Sequence, residues 1–156
     1  MSKKNKKIIL IIIIALVVIV GIGVPVYLTV FHNGLDHGKV MIKGHVIKVE
    51  VANTPESRMK GLSGRGKIGA NEGMLFVMDD KRYHSFWMAD MKFPIDIIWI
   101  SDNKVVDLTK NAPVPTDPKN IPVFTPNTEV NKVLEVNAGY IEANNIAIGD
   151  EVGIDY

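Results

Sequence analysis

Hydrophobic positions follow two regimes along the chain. From Ile8 to Phe31 they form one uncharged run of 24 residues, while beyond it they come in short bursts separated by charge, glycine and proline. The first regime has the length of a membrane-spanning helix. At about 1.5 Å rise per residue it exceeds the roughly 30 Å hydrocarbon core of a bilayer. The second regime has the rhythm of strands. Ile47, Val49 and Val51 alternate with Lys48 and Glu50, the period of a half-buried strand. Thr54-Pro55-Glu56 predicts a helix start, with Thr54 as N-cap and Pro55 in the first turn. Gly61, Gly64, Gly66 and Gly69 then break that helix and lead into an apolar strand over residues 74–78. A charged turn over 79–82 precedes a further strand over 83–88. Residues 95–100 and 104–108 flank Ser101-Asp102-Asn103 as a hairpin. Residues 111–127 hold Pro113, Pro115, Pro118, Pro122 and Pro126 and read as a long loop. A strand over 132–136, a short helical piece over 138–145 and a turn at Gly149-Asp150 close the chain.

These elements predict an α+β protein: one N-terminal transmembrane helix, then a small, mainly antiparallel, barrel-like β domain with short helices. The expected divisions are a basic tail at 1–7, an anchor at 8–31, a linker at 32–39 and an outer domain at 40–156. Charge sets the orientation. Lys3, Lys4, Lys6 and Lys7 precede the anchor, and no further basic side chain except His32 and His37 follows until Lys39. Lysines stay on the cytoplasmic side, so the outer domain is expected beyond the cell membrane, with the chain partnered to the bilayer through Ile8–Phe31. The run is too long for a cleaved signal core and no A-x-A pattern follows it. Removing the four N-terminal lysines from the 18 basic residues leaves 14 against 17 acids, a net −3 for the outer part. That balance argues against nucleic acid as a partner. The chain has no cysteine, so the outer domain holds together by its own core.

Four blocks carry a family resemblance. Arg58-Met59-Lys60-Gly61-Leu62-Ser63-Gly64-Arg65 is the first, and Gly73-Met74-Leu75-Phe76 the second. Phe86-Trp87-Met88 with Pro94-Ile95-Asp96-Ile97 forms the third. Val133-Leu134-Glu135-Val136-Asn137-Ala138-Gly139, followed by Ile146 and Gly149-Asp150, forms the last. In this order they resemble domain-of-unknown-function family 192, also called uncharacterised protein family 0127, over about residues 46–152. The resemblance implies a small, mostly β domain outside the membrane, in a family whose members often carry a signal or anchor. It implies no assigned activity. Asp90-Met91 stands where the family commonly shows Asn-Thr.

Arg58, Arg65, Asp96 and Glu135 each lie within or beside apolar text, where charges are seldom buried unpaired. Two uses fit them: a polar pocket, or internal ion pairs that fix the fold. Arginine's planar fork serves both. Trp87, with Tyr83 on the same strand face, is the kind of ring that sugars stack against; equally, Phe86-Trp87-Met88 builds core. The expected function is a membrane-anchored binding or accessory domain with a cleft of Arg58, Arg65, Trp87, Asp96 and Glu135. Its ligand would be small and polar, such as an envelope saccharide. One alternative is an envelope hydrolase with Asp96 and Glu135 as acid and base, which requires the two carboxyls within about 5–9.5 Å. Another is an interaction module docking through the Pro-rich segment. No metal or cofactor is expected. His32, His37, His45 and His84 lack ligand spacing, the methionines sit at core positions, and the glycine-rich loop does not follow a buried strand into a long helix.

Overall fold

A computed structural model describes residues 35–156. The anchor expected at Ile8–Phe31 lies outside these residues. Among the described residues no helix is long and apolar enough to cross a membrane.

Among the described residues nine strands and two short helices follow one another. They are β1 (Asp36–Ile42), β2 (His45–Ala52), α1 (Pro55–Lys60), β3 (Glu72–Arg82), β4 (Phe86–Trp87) and β5 (Ile95–Ser101). Then come β6 (Lys104–Ala112), β7 (Val123–Phe124), β8 (Val130–Asn137), α2 (Tyr140–Ala143) and β9 (Val152–Asp155). Seven strands form one sheet in the order β6-β5-β8-β3-β2-β1-β9, and β4 pairs with β7 apart from it. The large sheet is antiparallel except at β2–β3, which are parallel and joined through α1. Its two edges meet at one end. There the Gly149 N–H donates to the Val105 carbonyl at 2.8 Å, and the Val105 N–H to that of Asp150 at 3.0 Å. The sheet is a half-barrel, and the domain is mostly β with few helices.

Strand alternation splits the apolar residues into two cores. One face gathers Val40, Ile42, Ile47, Val49, Val51, Leu75, Ile98, Ile100, Leu134 and Val136, closed over by Tyr140 and Ile141 of α2. The other gathers Met74, Phe76, Ile95, Ile97, Trp99 and Val133, covered by Leu62, Met88 and Met91. Central strands β3, β5 and β8 are therefore buried on both sides, which is why they read as unbroken apolar runs. β2 alternates because Lys48 is exposed and Glu50 half-buried.

Helix α1 forms where Thr54-Pro55 places it. Thr54 Oγ1 accepts from the Ser57 N–H at 3.2 Å, and the Thr54 N–H donates to Ser57 Oγ at 3.0 Å, a reciprocal capping box. Gly61 ends the helix at φ 48°, and a Cβ there would sit 3.2 Å from the Phe76 ring. Glycine thus lets the chain turn directly over the second core. The following loop is tied down by Ser63 Oγ to the Ala89 carbonyl at 2.8 Å and the Gly64 N–H to that of Asp90 at 2.9 Å.

Several expectations need correction. β1 begins at Asp36, inside the segment read as linker. The charged residues 79–82 continue β3 as an exposed extension rather than a turn, rejoining β8 at Arg82–Val130 after a register shift. The strand read over 83–88 shrinks to Phe86–Trp87. The Pro-rich segment is not structureless: it contributes β7, clamped to β4 by Met88 N–H to the Pro122 carbonyl at 3.1 Å. β9 follows the closing turn and pairs with β1.

Candidate functional site

The second core stays open on one side. α1, the outer stretch of β3 and the β4 segment enclose a cleft of about 380 Å³. Leu62, Phe76, Met78, Phe86 and Met91 supply apolar walls, Arg58, Lys60, Asp79, Asp80 and Arg82 supply charge, and His84 adds an imidazole. Phe86 is fixed edge-on between Phe76 and Trp99, with ring centroids 4.9 and 5.5 Å away.

Glu135 also lines this cleft. Its strand neighbours in register are Met74 on β3 and Ile97 on β5, so its side chain shares the face of the second core. It is 5 % exposed. Among the described residues no side chain or backbone group pairs with its carboxyl, and burial alone pushes its pKa up to about 8. No oxygen of it is sealed without a partner, so what contact it keeps is with the cleft. A carboxyl in this state is protonated at neutral pH, and presents one O–H donor and one carbonyl acceptor.

Arg58 borders the same cleft but does not reach for a ligand. Its guanidinium donates to the carbonyls of Asn53 at 3.1 Å and Val77 at 2.8 Å, and to Asp79 at 2.6 Å. It anchors α1 onto β3. Trp87 lies at the rim and is 56 % exposed, while its neighbour Met88 is buried. Within the Phe86-Trp87-Met88 triplet, Phe86 and Met88 therefore build core while Trp87 faces outward. Tyr83 is exposed but outside the strand that was expected to align it with Trp87.

Arg65 lies elsewhere. It forms a bidentate pair with Glu50 of β2 at 2.5 Å, beside a second surface groove that also touches Lys39, Lys48 and Lys67. The hydrogen bond to Arg65 holds the Glu50 carboxyl below its usual range, and the same bond raises Arg65. Both partners are about one-third exposed, so solvent screens the pair.

Asp96 takes the opposite face of the sheet. Its partner on β8 is Val136, a first-core residue, and it is fully buried. One carboxyl oxygen accepts from the Asn111 N–H at 2.8 Å, where β6 bulges with Asn111 at φ 52°. The other accepts from the Ile141 N–H at 2.9 Å in the first turn of α2. Gly139 at the N-cap has no side chain to cap that turn, so Asp96 does it from another strand. The five candidates thus divide: Arg58, Trp87 and Glu135 share the cleft, Arg65 is beside another groove, and Asp96 is a structural bolt. Asp96 and Glu135 cannot act as an acid–base pair, because adjacent strands point them to opposite faces. The structure adds His84, paired with Asp80 at 3.4 Å, to the cleft wall. Its sequence surroundings carry no signal of that role.

A half-barrel whose one open core holds a partnerless buried carboxyl defines a small β domain with a pre-formed cleft. The model of domain-of-unknown-function family 192, described as uncharacterized ACR, matches residues 38–154. The chain belongs to that family. Among solved structures it is similar to a candidate transcription regulator from Sinorhizobium meliloti 1021, with 25% identity and a TM-score of 0.71. That likeness covers 78% of this chain and 95% of the other. It is also similar to a protein of unknown function from Novosphingobium aromaticivorans DSM 12444, with 30% identity and a TM-score of 0.70, over 79% of this chain and 89% of that one. No curated protein matches it significantly.

Proposed function

We propose that this protein is a membrane-anchored binding or accessory domain, and that the cleft over Glu135 takes a small polar ligand such as an envelope saccharide. The observation that carries this reading is Glu135 itself. A carboxyl kept 5 % exposed with no partner costs stability, and the fold makes no use of it. Titratable groups strongly perturbed by burial and set in a cleft cluster at functional sites. Trp87 at the rim offers a flat face for a sugar ring, and the neutral acid below offers a donor and an acceptor to its hydroxyls. The hydrolase alternative is dropped, since Asp96 and Glu135 face apart. Regulation of transcription, named for the Sinorhizobium relative, is not carried over: a net −3 beyond the anchor does not suit a polyanion.

The binding test is a thermal-shift screen against envelope sugars. At ligand near 100 times Kd the fold should gain about 2.7 kcal/mol, a shift of several degrees. Trp87→Ala should melt like the parent, because the ring is solvent-facing, but lose the shift. A panel with no active sugar, or a Trp87→Ala protein that responds like the parent, would sink the reading. Location is tested separately. Protease added to intact cells should remove a tag at Tyr156, and a protected tag would reverse the orientation read from Lys3, Lys4, Lys6 and Lys7.

A further inference from the structure

Which ligand chemistry fits the cleft depends on what its deepest polar group lacks. Every guanidinium contact of Arg58 is directed to Asn53, Val77 and Asp79, and none reaches Glu135. Arg82 and His84 lie by Asp80, each at 3.4 Å, and Lys60 stands at the mouth. Arg58 and Arg82 are thus matched by Asp79 and Asp80, Lys60 holds its ammonium beside Gly64, and among the described residues the floor carboxyl has no charged neighbour. Around it are the rings of Phe76 and Phe86 and the thioethers of Met78 and Met91, with Trp87 at the entrance. A carboxyl oxygen at the bottom of a pocket walled by aromatic rings offers a cation both a counter-ion and ring faces.

We propose that the cleft selects a ligand bearing a protonated amine, held with Glu135 as its counter-ion. This rests on the reading of the cleft as a binding site and narrows its ligand class from polar to cationic, for example an amino sugar rather than a neutral one. The binding step balances simply. The carboxylic acid of Glu135 loses its proton to solvent, the ammonium group enters unchanged, and a carboxylate–ammonium pair replaces the neutral acid. Binding therefore releases one proton at pH values where free Glu135 is protonated. Affinity rises about tenfold per pH unit until the pKa of the free carboxyl is reached.

The experiment is calorimetry on the full-length protein at pH 6.5, with glucosamine, N-acetylglucosamine and ethanolamine as probes. Each titration is repeated in buffers of different ionisation enthalpy to count protons. Glucosamine is expected to bind at least about tenfold more tightly than N-acetylglucosamine, with release of about one proton. Glu135→Gln is expected to abolish both the preference and the release. The proton count on the parent protein stands even if that variant fails to fold. Equal or tighter binding of N-acetylglucosamine overturns the amine inference and leaves a saccharide cleft. Binding of ethanolamine alone, with proton release, supports the amine and removes the saccharide. No binding by any probe overturns both.

Discussion

Replacing Glu135 by glutamine is expected to stabilise the protein, and to do so more strongly as pH rises. Below about pH 4.5 the carboxyl is protonated in both the folded and the unfolded chain, so it contributes no pH dependence. Above that value the unfolded chain ionises, while the buried group holds its proton until about pH 8. Across this window the folded state binds more protons, so stability falls with rising pH at about 1.4 kcal/mol per unit. The full window corresponds to a few kcal/mol, with about 5 as the upper bound. Glutamine keeps the shape and cannot ionise, so the variant should be nearly neutral at pH 4.5. By pH 8 it should lead by at least about 2 kcal/mol. Urea unfolding of the Leu35–Tyr156 unit at both values measures this directly. A glutamine variant that is less stable at pH 8 would mean that Glu135 carries a charge paired within the fold.

The second large effect is expected at Asp96, with the opposite sign. Asp96→Ala leaves the N–H groups of Asn111 and Ile141 without their acceptors in a fully buried place. Each orphaned donor costs about 1–3 kcal/mol. A loss of about 4 kcal/mol follows, near half the stability of an ordinary domain. Asn at this position can accept only one of the two bonds, so its loss should be intermediate. The midpoint in urea should fall with the slope unchanged. A loss under about 1 kcal/mol for Asp96→Ala would show that α2 and the β6 bulge hold without the bolt.

Much of this architecture was legible in the chain, for reasons that differ by element. β2 announced itself because its outer residues, Lys48 and Glu50, meet solvent while Ile47, Val49 and Val51 do not. The β5–β6 hairpin followed from Ser101-Asp102-Asn103, with Asp102 at φ 56° where such a turn needs it. The family blocks located the strands that surround the cleft. β1 was missed because its Gly38 reads as a turn former. The fold needs glycine there for closeness instead, since a Cβ would lie 2.5 Å from the Asp155 carbonyl of β9. The parallel β2–β3 pairing carried no local signal either, because register between distant strands is set by packing.

The candidate set divided for the same reason. Sequence placed Asp96 and Glu135 correctly inside strands, but their faces depend on a register of β5 against β8 that one residue of slip would invert. The register sets Glu135 on the face of the second core, beside the cleft, and Asp96 on the face of the first. Asp96 finds its donors 15 and 45 residues away, and Arg65 finds Glu50 on a neighbouring element. None of these partners could be chosen among 17 acids and 18 bases by spacing alone. Trp87 was the candidate whose surroundings in sequence, an aromatic triplet, described its place best: Phe86 turns towards the core and Trp87 towards the cleft mouth.

The central claim is that the cleft floor carries an unpaired, neutral carboxyl waiting for a ligand's polar group. The most direct measurement is a carbon-13 NMR titration of the glutamate side-chain carboxyls in the ligand-free protein, with Glu135 assigned by its loss in Glu135→Gln. The account predicts a midpoint for Glu135 near pH 8, well apart from the exposed glutamates. A midpoint at or below 4.5 would place a charge or open solvent beside that carboxyl, and the cleft as described would not exist.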